Sequence, residues 1–445
     1  MTQAIPDWTR LPTTFRQGTI GRIVQCVENG ECCAIIGVGS VGKSNVLRHL
    51  TREDVLEHHV KDKTKNFLFV NIDGNATVER SVWGYYELMF NRLIRAAEEQ
   101  LGPEWRERFD PFYQQAMDNS SYHLARRNLE HMVHALRTSD QKYHIVFLMD
   151  EFDEVFREID GRLFAGLRAL RDDHKYKLVY VVFGRKELSQ ILRITGDYEA
   201  FYELFPSNTI GLGPYSELDA RYMIERLAER REKPISRQAA TTIIKVIGAH
   251  PGLIRATTFA VLDNEVNLQG DPRAQLLTNR KIRDEFRKIW EGLDPDEQTA
   301  LFEISKDNLD INRHALKMLQ DKKVIKEGQP PRIFCDLFAT YVRDDAKIPR
   351  FSIDWSRKTV WLGSEPAKGI IDREFELLSY LYQNRNRVCT REELVEKVLK
   401  EDPLSVTIQK LQSRINRLRR KIEPNPKKPV YLIRHGDEGY KLDNC

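Results

Sequence analysis

The sequence predicts an α/β protein: a doubly wound parallel sheet with a helical lid, then a mainly helical winged helix, then a C-terminal α+β winged helix-turn-helix. Three observations predict this. Short apolar runs at 33–36, 66–72, 144–149, 177–183 and 207–214 alternate with stretches of helical period, the pattern of a parallel sheet with crossover helices. The first run leads into a glycine-rich turn and then a helix-forming segment, Asn45 to Leu50. The last fifth of the chain carries a helical segment with six bases and no acid, Lys410 to Lys421, followed by hairpin signals.

The glycine-rich turn fits G-x-x-x-x-G-K-[ST]: Gly37, four residues, then Gly42, Lys43 and Ser44. Glycines at 37, 39 and 42 let the backbone curl until its N–H groups face a phosphate, and Val41 and Asn45 flank them. The following helix N-terminus adds partial positive charge. Lys43 is expected to reach the β- and γ-phosphates of ATP, and the Ser44 hydroxyl to ligate Mg²⁺. Cys33–Ile36 is the strand that presents this loop.

Residues 1–31 form an entry segment in which Ile20, Ile23 and Val24 keep helical spacing. Asn66–Ile72 reads as a second buried strand, ended by Asp73-Gly74. Residues 78–141 read as helices broken at Gly102-Pro103. A plain helical layer is the simpler reading of that long insert, a partner surface the other.

His144-Ile-Val-Phe-Leu-Met-Asp150-Glu151 has the Walker B form, an apolar run ending in acids about 106 residues after the P-loop. A carboxylate at the C-terminal end of a buried parallel strand sits where ligands bind in such sheets. Asp150 is expected to hold Mg²⁺, and Glu151 to polarise the attacking water as general base. Asp153 and Glu154 read as helix N-terminal acids. The fourth strand, 177–183, ends in Gly184-Arg185, where an arginine would sense a phosphate.

Residues 215–262 read as a helical bundle. Ser216 and Asp219 cap its first helix, and Ala249-His250-Pro251-Gly252 breaks the later ones. Helices follow at 286–293, 295–305 and 313–320, then a short strand and turn at 323–328: a winged helix. Beyond 351 come two strand signals, Phe351–Asp354 and Thr359–Leu362. Helices at 372–383, 390–400 and 405–422 follow, then prolines at 424, 426 and 429 and a terminal hairpin from Val430 to Leu442. The expected domains are therefore 1–214, 215–285, 286–350 and 351–445.

Composition narrows the class. The chain has 445 residues, 41% hydrophobic and 31% charged, and a net charge of +4, which marks a globular protein. Residues 351–445 hold 19 Lys+Arg against 14 Asp+Glu, so the rest of the chain is slightly acidic. That asymmetry fits a nucleic-acid-binding terminal domain and equally a solvated basic face. Six cysteines form no C-x-x-C pair, which argues against a zinc site or a disulfide framework. The N-terminus lacks the apolar core of a signal peptide, and no apolar run approaches ~18 residues. The expected compartment is cytoplasmic.

With these residues in view, 15–345 resembles the STAND branch of AAA+ P-loop ATPases, close to the origin-recognition-like group. The resemblance rests on the P-loop, Asp150-Glu151, Gly184-Arg185, Gly213-Pro214 and His250-Pro251-Gly252. It implies that Pro214 lies against adenine, that His250 and less directly Arg255 approach the nucleotide, and that hydrolysis is slow and regulatory. It also implies self-association in the ATP state. The family's G-R-E element is hinted at only by Gly21-Arg22, and its usual terminal repeats have no counterpart.

Residues 351–443 resemble the OmpR/PhoB-type winged-helix DNA-binding domain, through Arg373–Leu378, Asn384–Arg387, Thr390–Leu394, Ile415–Ile422 and Gly436–Leu442. The basic helix has its apolar stripe at Leu411, Ile415, Leu418 and Ile422 and suits the major groove. The resemblance puts Gln409, Lys410, Ser413, Arg414 and Arg417 towards double-stranded DNA, with Arg434 and His435 on the wing. Asp437-Glu438 depart from the small residues the family favours there. Taken together these features predict an ATP-dependent switch that binds DNA, a transcription regulator. The alternative is a DNA-acting ATPase of a mobile-element, replication or phage-defence system that recruits a protein partner.

Overall fold

A computed structural model describes residues 11–443 except 63, 120, 193, 309–310, 345, 347–350, 356, 363–364, 386, 400–407, 424–425, 427–428, 430 and 437. The expected helix start at Ser405, Pro424, Val430 and the wing acid Asp437 lie outside the described residues. The chain divides into two compact units. One comprises residues 1–292 with 320–326 and 334–338, the other 293–319, 327–333 and 339–445. The segment expected as a separate winged helix is thus shared between the two.

The first unit is built on five parallel strands: β1 (Cys33–Ile36), β2 (Phe67–Asp73), β3 (His144–Asp150), β4 (Leu178–Gly184) and β5 (Thr209–Gly211). Their order across the sheet is β2-β3-β4-β1-β5. Every residue of β1 and β4 is buried, as are the first six of β3. Such unbroken apolar runs, Val146-Phe147-Leu148-Met149 and Leu178-Val-Tyr-Val-Val-Phe183, fit strands covered on both faces. Each fully buried Val, Leu, Ile or Phe side chain contributes about 1.5–3 kcal/mol.

Edge strand β2 is blunted from within: the Gln100 amide donates to Phe69 O at 2.8 Å and accepts from Phe69 N at 3.3 Å. One side chain replaces the missing neighbour strand and shields an open edge. The insert forms three helices, Val82–Leu101, Glu104–Asn119 and Tyr122–Thr138, with the break at Gly102-Pro103.

The chain leaves β1 for the far edge of the sheet and returns through β4 at its side. The C-terminal end of β1 is therefore a switch point, where open α/β sheets bind ligands. Helices Glu217–Glu229 and Pro251–Leu262 line the cleft there, with Arg237–Ile247 packed on both and Arg280–Glu291 packed on Pro251–Leu262. Ser216 caps the first by accepting from Asp219 N at 3.1 Å.

In the second unit, strands Phe351–Asp354, Thr359–Leu362 and Glu365–Pro366 form an antiparallel sheet. Helices Asp372–Gln383, Arg391–Leu394 (running on as a π-turn to Leu399) and Ile408–Ile422 follow. The hairpin Leu432–His435 with Gly439–Leu442 closes the domain, pairing with Cys389–Thr390. Leu377, Leu378, Leu381, Leu411, Ile415, Leu418, Ile422, Leu432 and Leu442 share one core, so the stripe on helix 408–422 is buried. Helices Pro295–Ser305 and Arg313–Asp321 precede it; Asn312 Nδ2 donates to the buried Asp354 at 3.3 Å.

Candidate nucleotide site and nucleic-acid interface

β1 delivers its chain into the loop 37–42, and the helix Lys43–Leu50 starts directly after it. Gly42 has φ +94°, a conformation L side chains rarely adopt. At Gly39 a Cβ would lie 2.6 Å from Lys288 O, so that position admits no side chain. Ser40 also stands at positive φ, +57°, which for a non-glycine residue costs on the order of 1–3 kcal/mol and clusters at functional sites. Gly37, at the end of β1, bonds back to Gly184 O at 3.2 Å.

Lys43 is folded onto its own loop, donating to Gly37 O at 2.9 Å and reaching Val38 O at 3.5 Å. Burial lowers its pKa, against the opposing charges of Asp153 and Glu151. Ser44 is exposed, and its hydroxyl donates to Asp150 Oδ2 at 2.9 Å. Two hard oxygens facing each other at the mouth of the loop are a donor set suited to Mg²⁺.

Glu151 takes φ +49° at the turn after β3. Burial raises its pKa, while Arg185 and Lys43 hold it down; Arg185 Nη2 lies 3.6 Å from Glu151 Oε2. Asp153 is held in the structure, accepting from Arg185 N at 2.6 Å and Lys186 N at 3.2 Å. It ties the end of β4 to the helix that follows β3. Glu154 pairs with Arg157.

A cleft of about 1070 Å³ opens over the loop. Gly39, Val41, Gly42, Lys43, Ser44, Asn45, Glu151 and Arg185 line it; these are expected site residues brought together. Gly37 and Asp150 lie outside that lining, Asp150 held against Ser44; Pro214 and His250 do not stand on its wall either. Their neighbours do: Tyr215 after the first, Pro251 and Gly252 after the second, with Arg255 a turn beyond. His250 is enclosed behind the loop, 1% exposed, its ring 5.7 Å from that of Phe334. Burial pushes its pKa down to about 3. The volume, the glycine-tolerant loop and the Ser44–Asp150 pair fit a nucleoside triphosphate with Mg²⁺.

The sequence reading missed Arg16. It precedes the first helix with φ +51°, is 6% exposed and donates to Val41 O at 2.7 Å and Gly213 O at 3.0 Å. Its guanidinium lies 4.4 Å from the Tyr215 ring centroid. One side chain thus ties the P-loop to the start of the lid. Arg22, the residue the sequence suggested, is exposed. No local pattern marks Arg16, since its partners lie 25 and 197 residues away.

On helix 408–422 the buried stripe leaves Lys410, Ser413, Arg417 and Arg420 exposed and Arg414 half-buried. Gln409 lies in the helix, but its side chain is outside the described residues. Arg419 and Lys421 serve the fold: Arg419 donates to Leu432 O at 2.7 and 3.0 Å, Lys421 to Gly369 O at 2.7 Å and Glu374 at 2.5 Å. Arg434 and His435 are exposed on the hairpin, and Arg434 Nε donates to Gly436 O at 2.7 Å.

Residues 369–442 match the family model "Transcriptional regulatory protein, C terminal". The sensory transduction protein RegX3 of Mycolicibacterium smegmatis is 38% identical over 91 residues, covering 20% of this chain and 39% of that protein. The alkaline phosphatase synthesis transcriptional regulatory protein PhoP of Bacillus subtilis is 42% identical over 71 residues, 16% and 29% of the two chains. The chain thus spans about two fifths or less of these relatives' length. Among solved structures, a Walker-type ATPase of Pyrococcus abyssi has a TM-score of 0.47 at 15% identity, covering 76% of this chain and 99% of that one. The ORC2 protein of Aeropyrum pernix (ADPNP–ADP complexes) has 0.44 at 13%, covering 77% and 95%. Likenesses this distant carry no functional argument. The chain joins a parallel-sheet α/β core to a C-terminal domain that matches the transcriptional-regulator family model. Among the described residues no helix is long and apolar enough to cross a membrane.

Proposed function

We propose that this protein is an ATP-dependent switch that binds double-stranded DNA through its C-terminal winged helix and regulates transcription. The observation that carries the ATPase half is the Ser44–Asp150 hydrogen bond at the mouth of a P-loop cleft. In this reading the P-loop N–H groups and Lys43 hold the phosphates, with Lys43 exchanging its loop carbonyls for phosphate oxygens. Ser44 and Asp150 would hold Mg²⁺, which supplies charge neutralisation at the β- and γ-phosphates. Glu151, its pKa raised by burial, accepts a proton from water. Arg185 pairs with Glu151 and stands ready to meet a phosphate. Tyr215, rather than Pro214, offers its ring to the base. Arg255, now paired with Glu285 at 3.3 Å, lines the same cleft.

The DNA half is supported by the match at 369–442 and by the exposed Lys410, Ser413 and Arg417 opposite the buried stripe. Nucleotide state would set which of two arrangements the chain favours, and so whether the reader engages DNA. ATP-state self-association belongs to this proposal. Footprinting of genomic DNA with ATP, with ADP and without nucleotide tests it. Protection that depends on nucleotide is expected; identical footprints in all three conditions would remove the switch.

A further inference from the structure

At the end of the sheet opposite the cleft, three neighbouring strands open on bases. Lys65 stands two residues before β2, His144 begins β3 and Lys177 precedes β4. His144 N donates to Asn66 O at 2.7 Å and Ile145 N to Lys177 O at 2.9 Å, so these starts lie side by side. Arg137, in the last turn of helix Tyr122–Thr138, and Lys142, in the turn that follows, complete the group. The seven residues of β3 separate it from the cleft, roughly 20 Å at 3.3 Å per residue.

The cations here are poorly compensated. Asp62 lies 3.6 Å from Lys65, and Lys65 also donates to Glu28 O at 2.8 Å. Among the described residues no carboxylate pairs with Arg137, Lys142 or Lys177. Lys177 Nζ instead lies 3.0 Å from His144 Nε2. An ammonium has no lone pair, so Nε2 accepts, and the proton of the neutral ring is assigned to Nδ1. That Nδ1 is buried without a partner, and so is Arg137 Nε. Two buried donors thus have no partner among the described residues, and of the five bases around them only Lys65 has a carboxylate, Asp62, within ion-pair distance. Burial, then the charges of Lys177, Lys65 and Arg137, push the His144 pKa down to about 4. A base in the last turn offsets a helix dipole, which accounts for Arg137's charge but not for the orphaned donors.

We propose that this pole is a second DNA contact, at which Arg137 and Lys177, the latter oriented by His144, meet a backbone phosphate, flanked by Lys142 and Lys65. A guanidinium fork and an ammonium suit phosphate oxygens. A backbone contact reads no sequence, and the whole-chain charge count hides it because residues 1–350 are slightly acidic. The contact goes beyond the winged helix but rests on the same DNA-binding reading.

The test is DNA affinity against salt for the full chain, on duplexes of several sequences. Arg137→Gln/Lys142→Gln/Lys177→Gln should lower the log–log salt slope by about 0.9 per lost phosphate contact on every duplex and leave sequence preference intact. Lys142→Gln/Lys177→Gln should do the same in smaller measure should the triple variant fail to fold. An unchanged slope in the folded variant overturns the proposal. Thermal stabilisation of the wild type but not the variant by inorganic phosphate, with the DNA slope unchanged, would assign the site to a small oxyanion and also overturn it. Arg414→Ala/Arg417→Ala separates the two readings: loss of preference there with an unchanged pole variant fails only the pole. Wild-type behaviour there, with a lowered slope in the pole variant, fails only the winged-helix reading.

Discussion

The Ser44 hydroxyl donates to Asp150 Oδ2 at 2.9 Å although 106 residues separate the two. The bond exists because β4 alone lies between β1 and β3, so the loop after one strand and the carboxylate ending the other meet at a single edge. Lys43, one residue before Ser44, is the cation of that edge. Lys43→Ala should lower affinity for ATP more than for ADP, because the deleted charge meets the β- and γ-phosphates. Titration with fluorescent nucleotide analogues measures it, and equal ATP affinity in mutant and wild type would sink the P-loop reading.

Glu151→Gln should keep nucleotide binding and lose turnover by a factor of about 10²–10⁴, the usual worth of a general base. The amide retains the size of the carboxylate without its proton affinity. Steady-state phosphate release at the wild-type rate would move the base elsewhere, Asp153 being poorly placed because two backbone N–H groups hold it.

Arg16→Ala should weaken both nucleotide binding and the empty fold. Val41 O and Gly213 O each lose a donor, at about 1–3 kcal/mol per buried acceptor left unpaired. Nucleotide affinity and the denaturant midpoint of the apo chain measure the two effects. An unchanged midpoint would mean that the tether adds nothing to the fold.

Much of this site is legible in sequence because its chemistry is local. Gly37 to Ser44 and His144 to Glu151 are short strings whose residue types are forced by phosphate and metal geometry. Arg16, Asp153 and Tyr215 escape because their roles come from partners distant in sequence. Arg419 and Lys421 belong to the same basic run, but carbonyls and Glu374 hold them, which the run itself does not show. Hydrophobic period marks the core sheet, the helices between 217 and 262 and the helix 408–422. It cannot divide 286–350 between two units, because that division depends on which surfaces meet.

Stability should fall as pH drops from 6.5 towards 4. Burial holds His49 and His144 down to about 4 and His250 to about 3, against an ordinary value of 6.5. Below 6.5 the unfolded chain takes up protons that the folded chain refuses, so the stability present above that pH is lost as it falls. Urea midpoints at several pH values measure this, and His250→Gln should flatten the slope. A midpoint constant between pH 7 and 5 would contradict it.

Arg414 and Arg417 are three residues apart on helix 408–422, hence neighbours on its surface; Arg417 is exposed, and the half-buried Arg414 flanks the stripe of Leu411, Ile415 and Leu418. The two should fail differently. If Arg414 reads a base edge, Arg414→Ala costs about 1–3 kcal/mol on the preferred site and relaxes preference. Arg417 is exposed and suited to a phosphate, so Arg417→Ala weakens all sequences alike and lowers the salt slope by about one. ATPase activity without DNA stays near normal in both, since these residues belong to the second unit. DNA affinity against salt, for each variant on matched and mismatched duplexes, separates the roles. Wild-type binding by both variants would mean that this face serves a protein partner, and the transcription-regulator reading would fall with it.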